Sequence, residues 1–284
     1  MFNKFKLSLH PGIYSAMEQK VVIITGSSSG IGRALAREFA RPAFKLVLAA
    51  RNKERLNEIG HEAGKKADKV LTVSTDVSKE NDCKNLILQA IEAFGRIDIL
   101  INNAGISMRA LFEELNLDVI RKLMDVNFWG TVYCTKYALP HLLKSKGSVV
   151  GVSSIAGYKG LPGRTGYSAS KFAMHGFLET LRIENLKKGL HVMIACPGFT
   201  ASNIRNTALG SDGTQQGESP RDEGSMMSAE EVAKKIKNAV DKRKRTLTLT
   251  SQGKLTVLLN KFIPAYLDKV VYKHMAKEPD SPFK

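Results

Sequence analysis

The stretch Lys20-Val21-Val22-Ile23-Ile24-Thr25-Gly26-Ser27-Ser28-Ser29-Gly30-Ile31-Gly32 decides the fold. A short apolar run that ends in glycines and passes into a helical pattern near Arg33 reads as a buried strand turning sharply into a helix. Glycine permits the tight turn and a close backbone approach to an anion, which the free N–H groups and dipole of the following helix attract. The spacing is GxxxGxG rather than GxGxxG, and a turn of this composition can also be a plain connector. Its place between a first strand and a first helix favours the phosphate-binding reading.

Working outward, further short apolar runs alternate with helix-length segments: KLVLAA from Lys45, KVLTVS from Lys69, DILIN from Asp98, GSVVGVS from Gly147, LHVMIAC from Leu190 and TLTLT from Thr246. Continuous apolar strands separated by helices predict an α/β fold, a doubly wound parallel sheet of about seven strands covered on both faces. The expected organisation is one Rossmann-type domain over residues 20–252, preceded by an extension at 1–19 and followed by a helical tail at 253–284. Ligands of such sheets bind at the carboxyl ends of the strands, where the strand order reverses. The polar, glycine-rich stretch from Leu209 to Ser225 is too long for a routine connection, so residues 199–228 are expected to form a substrate lid.

Composition narrows the function classes. In 284 residues, 43% hydrophobic and 25% charged are ordinary globular values, which sets aside disordered and collagenous chains. Three cysteines without metal-like spacing suggest a reducing compartment, hence the cytoplasm, and six histidines form no HExxH cluster, so no metal is expected. The first twenty residues lack an apolar core of signal-peptide length. Forty-three basic against twenty-seven acidic residues give a net charge of +16. No nucleic-acid signature accompanies that charge, so a nucleic-acid partner is not expected.

Chemistry-bearing residues follow the strands. Tyr167 and Lys171 stand four apart in GYSASKFAMHGFLETL, a segment of helical periodicity, so both project from one face. An ammonium beside a phenol favours the phenolate and brings the hydroxyl toward the neutral range; a tyrosine packed on a lysine stem is the plainer alternative. Ser154 lies after the fifth run, thirteen residues before Tyr167, with Ser153 as its neighbour and competitor. At the end of the second run Ala49-Ala50-Arg51-Asn52 offers no acid for a ribose hydroxyl. Arg51 could instead pair a 2′-phosphate, with Arg33 adding a second charge, or be an exposed basic residue.

Together these motifs resemble the short-chain dehydrogenase/reductase (SDR) family over roughly residues 20–250. TGSSSGIG is similar to its TGxxxGIG cofactor loop, Asn102-Asn103-Ala104-Gly105 to its NNAG motif and Asp76-Val77 to its adenine-contacting pair; Asp76 could otherwise cap a helix. Pro197-Gly198-Phe199-Thr200-Ala201-Ser202 resembles its carboxamide-seating PGxVxT segment, with Thr200 for the valine and Ser202 for the threonine. The resemblance implies Asn127, Ser154, Tyr167 and Lys171 as catalytic residues, Tyr167 moving the proton, Ser154 holding the substrate oxygen, Lys171 holding the nicotinamide ribose and Asn127 ordering a water. It implies a cofactor site of Gly26, Ser28, Ser29, Gly30, Ile31, Gly32, Arg33, Arg51, Asp76, Val77, Asn103, Ala104, Gly105, Asn127, Tyr167, Lys171, Pro197, Gly198, Thr200 and Ser202. NADP(H) is the preferred cofactor on the strength of Arg51, with NAD(H) as the alternative.

The expected reaction is hydride transfer between a nicotinamide and a carbonyl or secondary alcohol, and the resemblance implies a homodimer or homotetramer, since members of that family commonly pair through the helices that correspond to residues around 117–144 and 165–188. Phe199, Ile204, Leu209, Met226 and Met227 in the lid suggest an apolar or lipid-like substrate, or pack the lid onto the domain. The rival is a non-catalytic nucleotide-binding or redox-sensing protein of the same fold, which would have no need of Ser154, Tyr167 and Lys171 together. The family commonly carries a glycine before the second strand, where this chain reads Arg41-Pro42-Ala43-Phe44. From Ala229 onward thirteen basic and six acidic residues give +7. The tail combines regular lysines with apolar residues such as Leu255, Leu259, Phe262 and Tyr266, and Pro264 should divide it into two helices. Such a segment can lie on an anionic membrane or pack on its own domain or a second subunit.

Overall fold

A computed structural model of the chain describes residues 19–201, 203–217, 224, 226–278 and 281–283. The expected N-terminal extension, except Gln19, lies outside the described residues, as do Ser202 and parts of the lid. Seven strands form one parallel sheet in the order β3-β2-β1-β4-β5-β6-β7. They are β1 (Lys20–Thr25), β2 (Phe44–Ala50), β3 (Lys69–Ser74), β4 (Ile99–Asn102), β5 (Ser148–Val152), β6 (His191–Cys196) and β7 (Thr246–Thr248).

Alternation along each strand divides the apolar run between two cores. Val22 and Ile24 of β1, with Leu46, Ile101, Val150 and Met193, pack under α1 (Gly30–Phe39), α2 (Lys53–Gly64) and α7 (Ala229–Asp241). Val21 and Ile23, with Val47, Leu100, Val149 and Ile194, pack under α3 (Glu80–Phe94), α5 (Gly130–Lys144) and α6 (Thr165–Glu184). Burial on both faces is why these strands read as unbroken apolar sequence rather than as alternation. The short helix α4 (Leu117–Leu123) runs into a π-helical turn, Met124–Trp129, before α5.

The order reverses between β1 and β4, which places the Gly26 and Asn103 loops side by side at the carboxyl edge of the sheet. The connection before β2, where the family's glycine is replaced, closes as a turn: the Phe44 N–H donates to Arg41 O (2.9 Å) and Gln19 Nε2 to Pro42 O (3.0 Å). It lies at the opposite edge of the sheet from the cofactor loop.

Pro264 divides the tail as expected, into α8 (Ser251–Phe262) and α9 (Pro264–Ala276), with the proline in the first turn of α9, where its missing N–H costs nothing. The basic run before β7 is tied into the fold. Arg243 donates to Lys146 O (3.0 Å) and Gly189 O (2.7 Å), and the Lys244 carbonyl meets His191 Nε2 (2.9 Å).

Candidate active site

A cleft of about 510 Å³ opens along the carboxyl ends of the strands. At one end is the glycine loop. Gly26 has φ +66, a left-handed conformation, and a Cβ at Gly32 would lie 2.0 Å from Gly26 O, so only glycine lets α1 start this close to the loop. Ser29 precedes α1 without a side-chain cap, and the first turn carries no acid, which leaves the helix N-terminus open to a phosphate. Asn103 ties the neighbouring loops together: its Nδ2 donates to Thr25 O (2.9 Å) and Gly26 O (3.3 Å), while the Asn103 and Ala104 N–H groups both donate to Thr25 Oγ1 (3.0 Å). A nucleotide pyrophosphate fits this cradle of bare backbone and free helix donors.

Ser28, Ser29, Gly30, Ile31, Arg51, Asp76, Val77, Ala104, Gly105, Pro197, Gly198 and Thr200 all line the cleft. Asp76 is the only acid in the described lining, and its Oδ1 accepts from Ser78 N (3.1 Å) and Ser78 Oγ (2.7 Å). Arg33 is elsewhere: its guanidinium faces Glu62 at 3.6 Å, outside the lining. Arg55, which sequence reasoning passed over, lines the cleft with Arg51; it stands in the first turn of α2, where its N–H donates to the capping Asn52 Oδ1 (2.9 Å). An arginine one turn inside a helix that begins at the end of β2 was the available signal.

At the other end the reacting groups converge. Ser154 follows β5 on extended backbone, its Oγ accepting from Ala156 N at 3.2 Å. Tyr167 and Lys171 project from adjacent turns of α6, with Lys171 Nζ 5.7 Å from the Tyr167 ring centroid and donating to Val152 O (3.1 Å). The π turn swings Asn127 inward, where it is wholly buried; its Oδ1 accepts from Ile106 N (2.8 Å) and its Nδ2 donates to Ile106 O (3.0 Å) and Ser170 Oγ (2.9 Å). Gly105 makes room for both groups, since a Cβ there would lie 3.2 Å from Asn127 Oδ1 and 3.5 Å from Lys171 Nζ.

Electrostatics depart from the simple expectation for a tyrosine and lysine pair. Burial lowers the Lys171 ammonium to about 8, with partial compensation from the Cys196 thiol. Burial also raises Tyr167 above its ordinary value, opposed by the Ser154 hydrogen bond and then by the Arg164 charge. In this arrangement the groups that favour the phenolate are Ser154 and Arg164, and desolvation outweighs them. Arg164, which the sequence reading did not single out, also lines the cleft.

Of the lid residues, Phe199, Ile204 and Leu209 line the cleft, whereas Met227 packs on the core beneath α7 and Met226 lies off the lining. Leu209 bridges to Met108 and Gln215, which holds the lid base to the loop after β4. Among the described residues no group of three His, Cys, Asp or Glu is arranged to hold a metal ion, and no helix is long and apolar enough to cross a membrane.

This parallel sheet, glycine loop and serine, tyrosine and lysine cluster belong to a known class, and residues 20–211 match the family described as short chain dehydrogenase. The chain belongs to the short-chain dehydrogenase/reductase family and is an oxidoreductase acting on hydroxyl and carbonyl groups. It is similar to the 11-beta-hydroxysteroid dehydrogenase 1A of Arabidopsis thaliana, 38% identical over 282 residues that cover 94% of this chain and 79% of that protein. Dehydrogenase/reductase SDR family member 7B of Mus musculus is 32% identical over 287 residues, covering 99% and 89%. Among solved structures, a short chain dehydrogenase/reductase from Burkholderia phymatum in complex with NAD superposes with a TM-score of 0.78 at 25% identity, covering 88% of this chain and 95% of that one. An alcohol dehydrogenase from the archaeon Thermococcus sibiricus complexed with 5-hydroxy-NADP gives 0.71 at 26%, covering 81% and 94%.

Proposed function

We propose that the chain is an NADP(H)-dependent oxidoreductase that interconverts a carbonyl and a secondary alcohol on an apolar, lipid-like substrate. The observation that carries the proposal is one continuous cleft with Arg51 and Arg55 at one end and Ser154, Tyr167 and Lys171 at the other. Two guanidiniums, with no carboxylate at the end of β2, suit a 2′-phosphate and disfavour a bare ribose. The glycine loop and the N-terminus of α1 would hold the pyrophosphate, Asp76 and Val77 the adenine, Lys171 the nicotinamide ribose, and the segment from Pro197 to Thr200 the carboxamide. Ser202, assigned to the same segment, lies outside the described residues.

When bound, the nicotinamide supplies or accepts the hydride. Ser154 holds the substrate oxygen by donating its hydroxyl proton in a hydrogen bond, and Tyr167 delivers the proton to that oxygen in reduction and takes it back in oxidation. Burial keeps Tyr167 protonated in the ready state for reduction. Lys171, near neutrality at about 8, can resupply that proton, and Asn127 fixes the loop through Ile106 against which Lys171 sits. Ile106, Leu161, Phe199, Ile204 and Leu209 around this end support an apolar substrate.

Exposed Trp129, Phe172, Ile183 and Leu186 on and beside α5 and α6 support a homodimer or homotetramer. Exposed Leu258, Phe262 and Tyr266 among the tail lysines support a contact surface for an anionic membrane or a second subunit. Three free, buried cysteines support a reducing compartment such as the cytoplasm.

The test is oxidation of NADPH and NADH against a panel of ketones, aldehydes, quinones and steroid-like carbonyls. Tyr167→Phe should cost roughly 100- to 10,000-fold in kcat while cofactor binding persists. Arg51→Ala should raise the KM for NADPH about tenfold or more and leave NADH untouched. Tight cofactor binding without turnover on any carbonyl would instead favour a nucleotide-binding protein, and an equal effect of Arg51→Ala on both cofactors would refute the phosphate contact.

A further inference from the structure

Ser154 is carried by a short turn, Ile155–Gly157, that follows β5, so its hydroxyl is only as well placed as that turn. The turn's own bonds are local. Ser154 Oγ accepts from Ala156 N (3.2 Å), Ser154 O from Gly157 N (3.0 Å) and Ile155 O from Tyr158 N (2.9 Å). Accepting from Ala156 leaves the Ser154 hydroxyl proton free to face a substrate oxygen. None of these three bonds ties the turn to α6, which carries Tyr167 and Lys171.

His175 makes that tie. Tyr167, Lys171 and His175 recur at every fourth residue of α6, which sets them on one face in successive turns. The His175 ring is buried and meets the turn at both ends. Before the turn, Nε2 lies 2.8 Å from Ser153 Oγ, and Ser153 is itself fixed to β6 by donating its N–H to Ala195 O (2.7 Å). After it, a Cβ at Gly157 would lie 2.5 Å from His175 Nε2, so the backbone rests directly on the ring, and the Tyr158 ring meets the imidazole edge-on at 4.5 Å between centroids. Cys196 Sγ, at the end of β6, is 3.7 Å from the same Nε2. Burial, and then the Lys171 charge, keeps the imidazole uncharged at neutral pH. A buried polar ring is costly unless it is bonded, so the Ser153 contact, rather than apolar packing, accounts for a histidine here.

We propose that His175 is a positioning residue for the reaction: by holding Ser153 on one side and Gly157 and Tyr158 on the other, it fixes the turn of Ser154 against the helix of Tyr167, so that both hydroxyls meet one substrate oxygen. The proposal rests on Ser154 and Tyr167 acting together as described above. It also gives Ser153, the neighbour of the reacting serine, a task of its own, which is to join the end of β5 to α6. His175 does not line the cleft, and it acts only through Ser153 and the turn.

Two readouts on the full-length chain test this, one of them without turnover. With NADPH and the carbonyl of the panel above that is reduced fastest, His175→Leu and Ser153→Ala should each lower kcat about tenfold or more, while the Kd for NADPH stays unchanged. The Ser153→Ala, His175→Leu double variant should lose no more than the larger single loss, and in a Ser154→Ala background His175→Leu should cost nothing further. His175→Gln, whose amide reaches the place of Nε2, should restore most of the rate. Amide hydrogen exchange followed by NMR reads the turn directly. Ala156, Gly157 and Tyr158 should lose protection about tenfold or more in His175→Leu and Ser153→Ala and keep it in His175→Gln, while the amides of β1 hold theirs. If His175→Leu folds poorly, Ser153→Ala, the smaller change, carries both readouts. An unchanged kcat, unchanged protection of the turn, or losses in His175→Gln equal to those in His175→Leu would overturn the proposal. Undiminished kcat in Ser154→Ala would count instead against the reading of the site, on which the exchange measurement does not depend.

Discussion

His175 offers a stability test that the site geometry makes quantitative. It lies one turn beyond Lys171 on α6, is 6% exposed, and places Nε2 2.8 Å from Ser153 Oγ and 3.7 Å from Cys196 Sγ, with the Tyr158 ring edge-on at 4.5 Å between centroids. Burial, and then the Lys171 charge, lowers its pKa from 6.5 to about 4. The unfolded chain therefore takes up this proton first as the pH falls, and the folded state loses stability through the window from 6.5 down to about 4. Between about pH 7 and about pH 5 that linkage amounts to about 2 kcal/mol, out of a limit of about 3 kcal/mol once both states are protonated. His175→Gln keeps a hydrogen-bonding side chain toward Ser153 and removes the titration. Urea unfolding at the two pH values should show the parent chain losing about 2 kcal/mol more than the variant. Equal losses in both proteins would refute the burial of a neutral imidazole behind the catalytic loop.

Two further outcomes are expected. Gly32→Ala brings a methyl 2.0 Å from Gly26 O and 2.5 Å from Asn103 Nδ2, so the cofactor loop must shift, and nucleotide affinity measured by titration calorimetry should fall about tenfold or more. Ile236→Ala, in the core beneath α7 and far in sequence from every cleft residue, should cost about 2–5 kcal/mol in chemical denaturation.

Much of this protein was readable locally. Burial on both sheet faces imposes unbroken apolar runs on the central strands, the edge strands β3 and β7 being only partly buried, and Pro264 had to break the tail because proline cannot continue a helix interior. Tyr167 and Lys171 were visible as a pair because a spacing of four is a contact distance on any helix. The family resemblance rested on the same local motifs. The π turn that carries Asn127 left no such mark, because one extra residue in a helical turn changes facing without changing composition.

The sequence by itself determined the parallel sheet, the glycine loop at its reversal point and the order of Ser154, Tyr167 and Lys171, since each depends on periodicity or spacing within a short window. Tertiary structure alone decided which charges serve the cleft. Arg33 and Arg55 are similar in sequence terms, yet one faces Glu62 and the other lines the nucleotide end. Glu278 meets Arg164 across 114 residues, and His175 meets Ser153 across 22. A local pattern records whether a side chain is buried; the partner that makes its burial affordable is chosen by packing between distant segments.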